Sequence, residues 1–286
     1  MGCNFCKKKG YQTINYLAPE EKEIQIKDYS SENDKNLEEF ETKLNLFSFV
    51  QLVEYVNLLE EFTMETSTII TDEPMRINFN NNDAFLNQNM SLEEFQAFIQ
   101  DKIFNLEDLN DILKNNQENA EIFKKINSEV YKALELKLKE SYINKTDLIN
   151  KRNLLSIGIL FCCCENIEKI KLIFDIFKKG NELICKDDKL DEFLLILFLI
   201  SSYCLITARR NIFGEKLEIE KISEEDINML ELKDCQNLVE LFNESFFKGQ
   251  SYNWTQFRKK FEDIDNGFGW IISSKGIRRK LEENKK

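Results

Sequence analysis

Histidine is absent from the 286-residue chain. The commonest general base and a common zinc ligand are therefore missing, and Ser-His, Cys-His and His-metal chemistries have no material to work with. Proline stands only at Pro19 and Pro74, and glycine occurs nine times. No glycine-rich phosphate cradle, nucleophile elbow or paired-carboxylate motif emerges, so no enzyme is expected and no cofactor is implied. Glu107-Asp108 and Glu224-Glu225-Asp226 read as solvated helix starts, where carboxylates complement the macrodipole. Positive charge is scarce: 39 Lys and Arg face 51 Asp and Glu, a formal net charge of -12. Only short basic runs remain to release phosphate counterions, which argues against nucleic acid as a partner. An apolar h-region is also lacking at the start, so a cleavable signal sequence is not expected.

Eight cysteines fall at 3, 6, 162, 163, 164, 185, 204 and 235. Their spacing is unpaired, and a cytosolic setting leaves them as free thiols. Cys162-Cys163-Cys164 lies in an apolar segment. Three consecutive residues on a helix point in different directions, so these read as small buried side chains rather than as ligands of one metal.

The first nine residues, Met1-Gly2-Cys3-Asn4-Phe5-Cys6-Lys7-Lys8-Lys9, have the pattern of a lipid anchor. Removal of Met1 exposes the Gly2 amine for myristoylation, Cys3 and Cys6 are placed for palmitoylation, and Lys7, Lys8 and Lys9 can rest against anionic headgroups. One acyl chain holds a protein only marginally, with a partition constant of roughly 10^4 per molar, whereas a second chain or a basic patch makes residence lasting. The competing reading is a solvated terminus that happens to begin with Gly and Cys, and Cys6 stands where Ser or Thr is usual.

Residues 10 to 35 are polar and without period, as a linker would be. From Leu37 to Glu65 the spacing of Phe40, Leu44, Phe47, Phe49, Val53, Val56 and Leu59 predicts a helical face, followed by a loop from about Thr66 to Asn89. Ser91-Leu92-Glu93-Glu94 is a capping box opening a helix through Phe95, Phe98 and Ile99. Asn105 is expected to cap another helix, and a long helix is predicted from about Glu118 to Glu140. Two apolar stretches follow, Leu154 to Cys164 and Phe193 to Ala208. The second is charge-free, but a bilayer core wants about 20 apolar residues, and Ser201, Ser202, Tyr203 and Thr207 dilute the run, so a buried core helix is expected. The fold class is all-α.

Residues 149 to 190 place an apolar helix to Phe161, a short joint Cys164 to Lys169, and a helix Ile170 to Phe177 in succession. This order resembles the middle of the neuronal calcium sensor and calcineurin B type EF-hand proteins, over about residues 118 to 208. The resemblance implies EF-hand-like helix pairs with short bridging strands, Ile143 pairing with Ile184, and it suits a myristoylated start. The implied divisions are an anchor and linker at 1–35, a helical region at 36–117, and two degenerate lobes at 118–210 and 211–286.

Calcium takes about six to eight oxygen ligands, supplied by loop positions 1, 3, 5, 7, 9 and 12 around a glycine at 6. Lys178 stands where the first carboxylate belongs, so the loop from Lys178 to Asp188 is not expected to bind the ion. Asp263 and Asp265 fit positions 1 and 3 of a later loop and are the best calcium candidates in the chain. Phe268 and Ser274 occupy its glycine and final ligand positions, and a polar turn between helices is the plainer reading.

Together these features lead to the expectation of a non-catalytic adaptor at the cytoplasmic face of a membrane, a scaffold that binds a partner protein helix without calcium. Phe193, Leu194, Leu197 and Phe198, or Phe242, Phe246 and Phe247, line either the core or the groove for that helix. The alternatives are a structural component of a large assembly, in a cilium or the cytoskeleton, and a calcium sensor.

Overall fold

The computed structural model describes residues 50–64, 86–106, 109, 117–140, 148–179, 183–213, 232–262 and 267–284. These residues form an all-α fold with one two-stranded ribbon. Helix α1 (Leu52–Met64) buries Leu52, Tyr55, Val56 and Leu59, a 3.6-period stripe. Strand β1 (Asn89–Met90) leads directly into α2 (Leu92–Phe98), which opens with the expected capping box: Ser91 Oγ accepts the Glu94 N–H, and Glu94 Oε2 accepts the Ser91 N–H. A π turn (Ile99–Ile103) ends that helix. The Asn105 amide donates to the Asp101 carbonyl at 2.7 Å and so closes the preceding turn; apart from Leu109, the start of the helix it is expected to cap lies outside the described residues.

Helix α3 (Gln117–Glu140) matches the predicted long helix, and strand β2 (Ile149–Asn150) leads into α4 (Lys151–Phe161). Asn150 caps α4 by accepting the Arg152 N–H at 2.9 Å. Residues 149 and 150 are thus strand, where the apolar pattern alone extends the helix through them. Cys162 to Cys164 follow the end of α4 in extended or irregular backbone, with Cys162 and Cys163 buried. There Cys163 exchanges backbone hydrogen bonds with Val50 and Leu52, pinning the start of α1 to the end of α4. Helix α5 (Asn166–Phe177) begins four residues earlier than the joint predicts, because Glu168 accepts the Glu165 N–H at 2.9 Å and so caps the first turn.

The longest apolar stretch becomes one continuous rod: α6 (Asp188–Leu199), a π segment (Ile200–Cys204) and α7 (Leu205–Phe213). By length and composition Asp188–Ile212 is able to cross a membrane, but 72% of its apolar window is buried inside the fold, where it is the central core helix. The chain continues through α8 (Leu232–Phe246), α9 (Trp254–Glu262), a 3-10 turn (Gly269–Ile272) and α10 (Ser274–Asn284).

Two backbone pairings organise the helices. Met90 pairs with Ile149 and Asn89 with Asn150, antiparallel, so α2 and α4 start from one ribbon. The second is a single antiparallel bridge in which Ile184 and Tyr252 exchange both hydrogen bonds at 2.9 Å. This corrects the expected pairing of Ile143 with Ile184: the partner is Tyr252, and Ile143 lies outside the described residues. The link also crosses the expected boundary at 210/211. Tyr252 serves because its ring packs on Phe246 and Phe247 while its hydroxyl donates to their carbonyls, at 3.0 and 3.2 Å.

Candidate functional site

The polar groups of the described loop residues are spent largely on helix ends. Asp187 Oδ1 accepts the Leu190 N–H at 2.8 Å, capping α6, while its Oδ2 lies 3.2 Å from Lys179 Nζ. Hydrogen bonding to Asp187 raises the Lys179 pKa, with the carboxylate charge acting in the same direction. Lys178 Nζ lies 3.3 Å from Asp175 Oδ1. Ammonium groups therefore take the carboxylates at both ends of the loop between α5 and α6. The turn between α8 and α9 is tight, with Lys248 at φ 49° and Gly249 at φ 73°. Asn253 and Gln256 then form a reciprocal cap on α9, at 3.0 and 3.1 Å. Three paired residues are each followed at once by a capping residue: Met90-Ser91, Ile149-Asn150 and Tyr252-Asn253. Among the described residues, no three His, Cys, Asp or Glu side chains lie close enough to hold a metal ion.

Burial pushes Cys162 and Cys204 well above the ordinary thiol range, so they stay protonated at neutral pH. Lys151 is buried at the start of α4, and burial pulls its ammonium down to about 8 against the opposing pull of Glu94. An open groove of about 480 Å³ runs between α2, its π turn and α3, lined by Phe95, Ile99, Gln100, Asp101, Lys124 and Asn127. Gln96 Nε2 donates to Ser128 Oγ at 2.9 Å across it.

A more specific arrangement lies around the π segment of the central rod. Ser201 and Ser202 are buried in it, and their hydroxyls donate to the Leu197 and Phe198 carbonyls at 2.8 and 2.7 Å. Arg278 of α10, itself buried, donates from Nη1 to the Ser201 carbonyl at 3.0 Å. Trp270, in the 3-10 turn that leads into α10, meets Phe198 and Phe242 with centroids 5.6 and 6.1 Å apart. Asn243 of α8 donates to Asp191 of α6 at 2.7 Å, and Asn153 of α4 donates to Glu192 at 2.8 Å, so the rod is tied to helices on both sides. At its far end Asn211 donates to Glu129 of α3 at 2.8 Å.

The structure decides between core and groove for the aromatic candidates. Phe193, Leu194, Leu197, Phe198, Phe242, Phe246 and Phe247 are all buried in the core. Gly2, Cys3, Cys6, Lys7, Lys8 and Lys9 lie outside the described residues, as do Asp263 and Asp265. Ser274, expected at a ligand position, is instead the buried first residue of α10. Sequence reasoning missed Tyr252 and Arg278. The one available signal for the first was an aromatic residue directly before an Asn-x-x-Gln cap; the second had none. No family model, no curated protein and no solved structure matches this chain.

Proposed function

We propose that the protein is a non-catalytic adaptor, held at the cytoplasmic face of a membrane by acylation of Gly2, Cys3 and Cys6 and by Lys7, Lys8 and Lys9, whose degenerate EF-hand-like lobes bind a partner protein helix without calcium. The observation that carries the reading is the pair of antiparallel bridges, Met90 with Ile149 and Ile184 with Tyr252. Each joins two loops that lead into helices, which is the way paired helix–loop–helix hands share a backbone contact. The loops spend their polar groups on caps and lysine pairs, so their geometry is held by packing where a sensor would use an ion.

Under this reading the units are α1 with α2, α3 with α4, α5 with α6, and α8 with α9. Membrane flotation of the full chain with a C-terminal tag, produced in a eukaryotic cell, tests it. The unchanged protein floats with membranes, and G2A and C3S/C6S each move most of it to the soluble fraction. Indifference to both changes overturns the anchor and puts the structural-assembly alternative in front.

A further inference from the structure

Helix α4 ends at Phe161, and that ending changes the geometry of the three consecutive cysteines behind it. On a helix such neighbours diverge, but in extended chain every second side chain returns to the same side. Cys162 stands at φ -69° and ψ 153°, and Cys163 forms a parallel bridge with Gln51, so the segment runs as strand. An extended Cys163 puts Cys162 and Cys164 on one side of the chain and its own side chain on the other. A rise of about 3.3 Å per residue sets the two about 6.6 Å apart.

The backbone around this pair is already fixed. The Cys163 N–H donates to the Val50 carbonyl at 2.9 Å, the Cys163 carbonyl accepts the Leu52 N–H at 3.1 Å, and the Cys162 N–H donates to the Gly158 carbonyl at 2.9 Å. Exposure is graded along it. Cys162 is 3% exposed, whereas Cys164 is half-buried, so the pair joins a dry interior thiol to one that solvent reaches. Burial is the main cause that raises the Cys162 thiol, and Cys164 comes next, with Cys163 and Glu54 of α1 adding to the rise; Lys169 of α5 pulls the other way. Two thiolates that oppose each other here need a further positive charge between them.

The donor set is all sulfur. Zinc takes four ligands and calcium six to eight oxygens, while among the described residues no three His, Cys, Asp or Glu lie close enough to hold a metal. Thiolates are soft donors that suit Cu(I), an ion that two of them satisfy in a line. A disulfide fits less well. It brings its Cβ atoms to about 3.5–4.5 Å, closer than same-side neighbours of an extended chain stand, whereas an ion between the sulfurs spans the wider gap.

We propose that Cys162 and Cys164 form a two-thiolate site for Cu(I), entered through Cys164. Each S–H bond breaks as an S–Cu bond forms, two protons pass to solvent, and copper stays Cu(I), so no oxidant or reductant is consumed. Lys169 offsets the single negative charge of the complex, and the ion braces the joint at which α1, α4 and α5 meet.

The test uses the full chain carrying C3S/C6S, so that the thiols near the start do not compete, reduced and kept free of oxygen. Cu(I) is shared between this protein and a chromophoric Cu(I) chelator. One ion per chain leaves the chelator, and X-ray absorption of the complex shows two sulfur neighbours. Adding C164S weakens binding at least tenfold, while C163S, on the opposite side of the strand, changes it less than twofold. No copper taken from the chelator, equal binding with and without C164S, equal losses in C163S and C164S, or a coordination shell other than two sulfurs overturns the proposal. Alkylation read by peptide mass spectrometry needs no change at the site and decides if C164S loses its tertiary circular dichroism. Copper slows alkylation of Cys164 at least tenfold and leaves Cys185, also half-buried, as reactive as before. Equal rates at Cys164 with and without copper, or a Cys162–Cys164 disulfide formed in place of the complex, overturn it as well.

Discussion

The two bridged halves of the molecule reach one geometry with different materials. In the first, α1 to α4 are joined by a two-residue ribbon, and tyrosines do the tying: Tyr55 donates to the Leu154 carbonyl at 3.1 Å, and Tyr131 donates to the Met90 carbonyl beside the ribbon. In the second, a single bridge suffices because rings fill the space around it. Phe246 alone meets Phe242, Phe247, Tyr252, Phe257, Phe261 and Phe268. Lysines lie over this cluster: Lys260 stands 5.1 Å from the Tyr252 ring, and Lys171 stands 4.7 Å from Trp254. Hydrogen-bonded tyrosines serve both bridges, Tyr131 beside the first and Tyr252 within the second, and the second adds a dense cluster of rings.

The largest test of that contrast removes one ring from each half. Phe246→Ala should cost about 4–5 kcal/mol in urea unfolding and Phe95→Ala, which meets Phe98 and Tyr131, about 3. Equal losses break the claim that packing carries the second half while hydrogen bonds share the burden in the first.

A smaller effect comes from Lys151, at the ribbon of the first half. Its ammonium is held near 8 when folded and has a value of 10.5 when free of the fold, so between those pH values the unfolded chain binds more protons. Stability from this group therefore rises with pH across that window. Lys151→Met should stabilise the protein by about 1–3 kcal/mol at pH 7, and the gap between variant and unchanged chain should close as pH climbs from about 8 toward 10. A gap independent of pH sinks the assignment.

The smallest pair of changes addresses the caps. Ser91→Ala in the first half and Asn253→Ala in the second should each cost about 1 kcal/mol, since each removes one side of a reciprocal cap. Thermal midpoints of the two variants measure this. A much larger loss for Asn253 makes the single bridge more dependent on its cap than the ribbon is.

Legibility in the sequence followed the range of the interaction. The Ser91 box could be read because two side chains three residues apart contain the whole argument. The central rod could be read from its apolar run, and its burial from the serines that dilute it. The bridge of Ile184 could be recognised as a bridge but not given its partner: one residue has no alternation to match, and Tyr252 lies 68 positions away. The bond from Asn105 back to the Asp101 carbonyl could not be read, because an asparagine beside a helix end can serve either neighbour. Arg278 gave no signal, for an arginine among Lys275, Arg279 and Lys280 reads as solvated. Its burial follows from where the π segment puts the Ser201 carbonyl.

The rod from Asp188 to Phe213 is clamped near its start by α4 and α8, at its middle by α10 and near its end by α3. Among the described residues the two halves therefore share one continuous helical element. Strain applied at one end, by a tether or by a bound neighbour, reaches the other as torque along a single shaft.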